Sequence, residues 1–145
     1  MNDLNYVIIV ECAIELNGRY LIIKHPDYKE AGGLLAFPGG KVELKDHNTN
    51  GSSNVMLNAV KREIFEEVGI NLLDPIRYVT SNHFKSGNGS ECLILVFHCI
   101  LDQTNPTVNP STREVSEYYW LTSEEINQAP NSPTWLKEYL SCVNE

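Results

Sequence analysis

The sequence predicts an α+β domain in which a mixed β-sheet lies between helices, as a three-layer α/β/α sandwich. Three observations carry this. Apolar runs of strand length occur near the start and the middle of the chain. Residues 55–68 repeat apolar side chains at helical spacing. The last quarter of the chain holds a capping box followed by a second helical segment. A length of 145 residues suits one domain over residues 1–145, large enough to bury a core without disulfide or metal staples.

The elements follow in order. "YVIIVECAIEL" and "RYLIIKH" read as strands around Asn17-Gly18, a pair that tolerates the positive φ of a tight turn. "AGGLLAFPGGKVEL" reads as a short strand, Leu34 to Phe37, between two glycine-rich turns. "KDHNTNGSSN", residues 45–54, is polar and turn-forming throughout and predicts an exposed loop. A helix is expected over residues 55–68, with Leu57, Val60, Ile64 and Val68 as its core stripe and Gly69 as the left-handed residue past its end. "IRYVTSNHF" and "ECLILVFHCIL" read as strands, the second so apolar that it belongs at the centre of the sheet. "EVSEYYWL" is a further strand. Thr122 and Glu125 form a capping box that starts a helix, and "TWLKEYLSCV" forms another after Pro130 and Pro133.

Composition narrows the function. The net charge of -8 disfavours nucleic acid and acidic membranes as partners, although an anionic small molecule is accessible through a divalent cation. None of Cys12, Cys92, Cys99 and Cys142 forms a C-x-x-C pair, and the first three sit among apolar residues, as buried thiols do. The N-terminal stretch has no basic region before its apolar run, and no apolar run reaches membrane-spanning length. A reducing, cytoplasmic location is the expectation. His25, His47, His83 and His98 show no paired spacing and are read as structural or exposed.

One cluster breaks local rules. Glu63, Glu66 and Glu67 fall within five residues beside Arg62. On a helical wheel with Leu57 at zero they stand near about 240°, 180° and 280°, flanking a core stripe that spans about 300° to 20°. Glu67 is therefore closest to the core edge. Like charges at this spacing oppose one another, and they lie in the last turns of a helix, where the macrodipole is negative. A hard cation such as Mg2+ would remove the conflict. A solvated acidic helix face with Lys61 and Arg62 as counterions is the alternative. Upstream, "FPGGK" joins a fixed φ at Pro38 to two glycines that admit unusual backbone conformations; such a turn brings main-chain groups close to a ligand, or is simply a turn.

Together these stretches resemble the Nudix box, the signature of the Nudix hydrolases: glycine, five residues, glutamate, seven residues, then Arg-Glu-aliphatic-any-Glu-Glu-any-Gly-aliphatic. Residues 62–70, from Arg62 through Glu63, Ile64, Phe65, Glu66, Glu67, Val68 and Gly69 to Ile70, match every place of the second half, and Gly40 opens the first, behind the lead-in "AFPG". Two departures stand out. Asp46 replaces the glutamate, and fifteen residues rather than seven separate it from Arg62. The excess of eight is placed at residues 47–54.

The resemblance implies a mixed sheet between helices and hydrolysis of a pyrophosphate linkage in a nucleoside diphosphate joined to another group, with Mg2+ or Mn2+. It implies Glu63, Glu66 and Glu67 as metal ligands, with the carbonyl of Gly39 adding an oxygen. Arg62 would orient the carboxylates, and Asp46 would support the loop–helix geometry. A further acid often precedes a tryptophan late in the fold; in "REVSEYYW" the step from Glu114 to Trp120 fits better than that from Glu117. Glu114 is thus the candidate fourth ligand or general base. Gly39 and Gly40 would approach substrate, and Phe37 and Phe84 are candidates to stack on a base, with core packing as the alternative. Residues 81–91 lack the marker proline or tyrosine of the ADP-ribose and dinucleoside polyphosphate subgroups. A nucleoside triphosphate is the expected substrate, with ADP-ribose or a nucleotide sugar, or a non-catalytic nucleotide sensor, as alternatives. The partner is then a small nucleotide, with the protein a monomer or homodimer.

Overall fold

A computed structural model describes residues 3–47, 53–102 and 106–145. Most of the polar insert, residues 48–52, lies outside them. The strands are β1 (Val7–Leu16), β2 (Arg19–Lys24), β3 (Leu35–Ala36), β4 (Gly39–Lys41), β5 (Arg77–Lys85), β6 (Glu91–Ile100) and β7 (Glu117–Leu121). The helices are α1 (Val55–Val68), α2 (Ser123–Gln128) and α3 (Thr134–Val143), with a single 3-10 turn at Leu44–Asp46. The strands form one mixed sheet in the order β3-β2-β1-β6-β5, with β4 on β1 and β7 on β2. Only the β1–β6 pair among them is parallel.

Strand alternation divides the core in two. Val10, Cys12 and Ile14 of β1, Leu21 and Ile23 of β2, and Phe97 and Cys99 of β6 pack under Val60, Ile64 and Val68 of α1. Ala13, Tyr20, Ile22, Ile94 and Val96 pack on the opposite face against Ile126 of α2 and Leu136, Tyr139 and Leu140 of α3. The two clusters make the expected α/β/α sandwich, with the period of two read directly as two faces. All four cysteines are free, and Cys12, Cys92 and Cys99 are buried.

Local signals match the ends of the elements. Asn17 and Gly18 take φ of 52° and 77° between β1 and β2. Gly69 caps α1 at φ 74°, its N–H donating to the Phe65 carbonyl. The Thr122–Glu125 capping box starts α2 as expected. Strands β3 and β7 are shorter than the sequence suggests, because β3 holds only Leu35 and Ala36 and β7 begins at Glu117. No helix among the described residues is long and apolar enough to cross a membrane.

The glycine turn is corrected. Gly39 and Gly40 do not occupy positive φ; they form β4, antiparallel to β1, with Gly39 opposite Glu11 and Gly40 opposite Val10. Their function is close approach. A Cβ on Gly39 would run into the Val10 carbonyl oxygen and stand 2.8 Å from the Glu11 Cα, and one on Gly40 would overlap the Glu63 carboxylate. The Gly39 clash is with backbone, which cannot step aside. Gly39→Ala should therefore lower unfolding stability by about 3 kcal/mol in urea titrations, while Gly40→Ala, which meets only the end of a flexible side chain, should cost under about 1 kcal/mol.

Candidate active site

Helix α1 runs past β4, and the missing Cβ atoms let its acidic side chains reach the strand. Distance from the core stripe orders their burial: Glu67 is 4% exposed and Glu63 7%, whereas Glu66 is exposed. Glu67 Oε1 accepts the Gly39 N–H at 2.9 Å. Cys12 N–H donates to the Pro38 carbonyl and Val42 N–H to the Ile8 carbonyl. That ladder leaves Gly39 as a non-hydrogen-bonded partner of Glu11, so its N–H and C=O both face away from β1.

Arg62 ties the surrounding segments together. Its Nε and Nη2 donate to Asp46 Oδ1 and Oδ2 at 2.5 and 2.8 Å. Nη2 also donates to the Lys41 carbonyl at 2.8 Å, and Nη1 to Glu63 Oε1 at 2.8 Å and Glu66 Oε2 at 2.7 Å. The replacement of glutamate by Asp46 thus leaves the support intact. The 3-10 turn carries the shorter acid inward, 3% exposed, where it meets the guanidinium with both oxygens and also accepts the Glu43 N–H. Asp46→Ala would strand Arg62 with half its buried partners and should cost about 3 kcal/mol in urea unfolding.

The electrostatics separate the three helix glutamates. Burial raises Glu67 to about 9 against the Gly39 N–H, with Glu114, Glu63 and Glu11 adding repulsion. Burial also raises Glu63, which Arg62 partly offsets. For Glu66 burial works upward, but the bonds from Lys45 and Arg62 outweigh it and hold the carboxyl low. Asp46 is held low chiefly by Arg62.

Glu63 and Glu67 open onto a cleft of about 800 Å³ between the sheet and α3. Gly39, Gly40, Phe84 and Glu114 also line it. Glu114 comes from the turn before β7 and is exposed; Ser111 N–H donates to the Glu67 carbonyl at 2.7 Å, so the end of α1 holds this turn in place. Glu117 instead faces Lys24, 3.6 Å away. Glu66 lies off the cleft lining, held by Lys45 and Arg62. Phe37 borders the cleft but is 1% exposed and packs near Tyr20, which leaves no face for a base; the expectation that it stacks on substrate is corrected. Phe84 is half-buried on the wall.

Several cleft residues escaped the sequence reading. Glu11 is partly buried on β1, and burial pushes its carboxyl up to about 8. His25, expected to be structural or exposed, lines the cleft too, lowered by burial and by Lys29, against an upward pull from Glu114. Asn82 Nδ2 donates to Tyr139 Oη at 2.9 Å on the α3 side. His98 is structural as expected, between Arg77 and Glu15.

The donor set fits Mg2+ or Mn2+. Among the described residues no three ligating side chains converge into a ready cage. Mg2+ does not need one, since it keeps several waters and takes one or two carboxylates plus substrate phosphates. Two buried carboxylates whose ionisation burial opposes, beside an outward Gly39 carbonyl, match that demand. Glu66 can join only by exchanging Lys45 and Arg62.

The chain matches the model of the NUDIX domain over residues 6–141. No curated protein matches it in sequence. The MutT NUDIX hydrolase from Burkholderia pseudomallei is similar in structure, with a TM-score of 0.76 at 22% identity over 96% of this chain and 98% of that one. The NUDIX domain of Shewanella oneidensis NrtR complexed with ADP ribose gives 0.71 at 13% identity, over 97% and 90%. A bifunctional NMN adenylyltransferase/ADP ribose pyrophosphatase from Francisella tularensis, complexed with AMP and a Mn ion, gives 0.67 at 18% identity, over 99% of this chain and 42% of that one. At these identities the likeness concerns the fold.

The raised Glu67 makes a prediction for the metal-free protein. Its ordinary value of 4.5 describes the unfolded chain. Above that pH the unfolded chain releases a proton that the folded state keeps up to about 9. The penalty is absent below pH 4.5 and grows as pH rises toward 9. In EDTA, Glu67→Gln should stabilise the protein by about 2–3 kcal/mol at pH 7, more at pH 8 and negligibly at pH 4, as read by urea unfolding at each pH.

Proposed function

Because the chain belongs to the Nudix hydrolase family, we propose that it hydrolyses the pyrophosphate linkage of a nucleotide, a nucleoside triphosphate before others, with Mg2+ or Mn2+. The observation that supports this most is the meeting of Glu63 and Glu67 with the side-chain-free backbone of Gly39 and Gly40 at the mouth of a nucleotide-sized cleft. Nudix hydrolases generally use divalent metals.

In this reading Glu63, Glu67 and the Gly39 carbonyl hold the cation, and Glu66 joins them when its lysine and arginine partners yield. The bound ion neutralises phosphoryl oxygens and acidifies water. Arg62 keeps Glu63 and Glu66 in register, and Asp46 keeps Arg62 in place. Glu114, which also lines the cleft, acts as the base. The water oxygen bonds to phosphorus, its proton passes to Glu114, and the bridging P–O bond breaks with its electron pair on the leaving phosphate. Phe84 offers a wall for the base, and Lys29 lies where phosphate can meet positive charge. ADP-ribose is the second reading, favoured by the ligand of the NrtR NUDIX domain, which this chain resembles in fold.

The test is a panel of nucleoside di- and triphosphates, nucleotide sugars and ADP-ribose with Mg2+ or Mn2+, following phosphate or pyrophosphate release. Turnover should require the metal. Glu67→Gln and Glu114→Gln should each lower kcat by about two to four orders of magnitude. A drop of only a few-fold in Glu114→Gln removes it as the base, and nucleotide binding without turnover on any member turns the reading to a sensor.

A further inference from the structure

Glu11 lies outside the Nudix box, in the apolar run of β1. Alternation sends Val10, Cys12 and Ile14 beneath α1 and turns Ile9, Glu11 and Ala13 toward α3. On that face Glu11 is the one acid between two apolar neighbours. It lines the cleft, opposite Gly39 along the strand pair. Tyr139 and Glu67 both lie close enough to feel its charge. Among the described residues no hydrogen bond or counter-charge acts on its carboxyl.

A half-buried carboxyl without a partner is costly, and a bound ligand that brings a donor removes the cost. The ligand's phosphates bring only acceptors and negative charge, which oppose ionisation of Glu11 further and leave its acceptor oxygens unpaired, so they are the wrong match. The cation is also the wrong match: in the proposed reading it is held by Glu63 and Glu67 of α1 and the Gly39 carbonyl, whereas strand alternation turns the Glu11 side chain to the α3 side. What remains is the nucleoside. The neighbouring cleft residues suit one: Ile9, Ile94 and Phe84 are apolar, and the Asn82–Tyr139 pair is polar and uncharged.

We propose that Glu11 is a specificity-determining residue, which accepts a hydrogen bond from an uncharged O–H or N–H donor on the nucleoside of the bound nucleotide. This rests on the pyrophosphohydrolase reading, although binding tests it without turnover. Ribose hydroxyls and base N–H groups both carry the required donor.

The first measurement is calorimetric binding of AMP, GMP, CMP and UMP, and of their 2′- and 3′-deoxy forms, which hold no pyrophosphate linkage to cleave, with Mg2+ present, to the wild type, Glu11→Leu and Glu11→Gln. Melting curves verify that each variant is folded, and leucine matches the apolar surroundings. Glu11→Leu should bind the preferred monophosphate at least tenfold more weakly, with Glu11→Gln intermediate. The loss should shrink to within threefold for the analogue that lacks the donor. A deoxy analogue that behaves so identifies a ribose hydroxyl; IMP against GMP, which differ in one exocyclic amine, identifies a base N–H. Equal losses across all analogues, no loss, or no monophosphate binding by the wild type would overturn the proposal. Binding with this pattern but no turnover on any triphosphate would sink the enzyme reading alone. With Mg2+ and a triphosphate substrate, the same variant should raise KM and leave kcat within threefold; a fall in kcat with unchanged KM also overturns it.

Discussion

The segments that carry the Nudix box converge on the Arg62 guanidinium. One planar cation joins Asp46 from the 3-10 turn, the Lys41 carbonyl from the end of β4, and Glu63 and Glu66 from its own helix. Arginine suits this position for a geometric reason. Its fork meets both oxygens of Asp46 and still has N–H groups to spare, whereas an ammonium would be a point charge with three donors. Without that hub, three carboxylates on one helix would repel one another, and the loop ahead of the helix would lose its anchor to the strand. The burial of Glu67 has a separate source: the apolar stripe of α1 packs on the sheet and the Gly39 N–H meets the carboxyl.

The second constraint is steric. Two glycines act here through the volume they omit. Gly39 clears the Val10 carbonyl and Gly40 clears the Glu63 carboxylate, so helix, strand and cleft meet at main-chain distance. The Gly39 N–H then steadies Glu67 while its carbonyl stays outward. Charge and shape are coupled: the approach that lets a backbone donor reach the acid also dries that acid and opposes its ionisation.

Much of this was legible in the chain. Val60, Ile64 and Val68 announce α1, Gly69 its end, and the wheel position of Glu67 its burial, since period and turn chemistry are local properties. The wheel also ordered Glu63 and Glu66 correctly. What escaped depends on contacts between distant segments. "FPGG" reads as a turn because a glycine's need for space is invisible until its neighbour is known. Asp46 reads as a weakened place in the box, yet the 3-10 turn makes up for its shorter side chain. Glu11 is hidden by its setting, one acid in an apolar strand, and only the parallel pairing of β1 with β6 and the seating of α3 show that it faces a cleft. Phe37 errs in the other direction: an aromatic beside the glycines looks available, and the sheet buries it.

The two ends of the polar insert are fastened independently of what lies between them. Asp46 holds one end through Arg62, and Asn58 Nδ2 reaches back from the first turn of α1 to the Asp46 carbonyl at 3.1 Å. With both ends clamped, lengthening the connection costs only ring-closure entropy, about 0.6 kcal/mol for each doubling. The separation of the two halves of the box along the chain is thus free to drift while their separation in space is not. The Asp46–Arg62 junction is made wholly by residues on either side of the insert, so chain length between the halves of the box and geometry where they meet are separate variables.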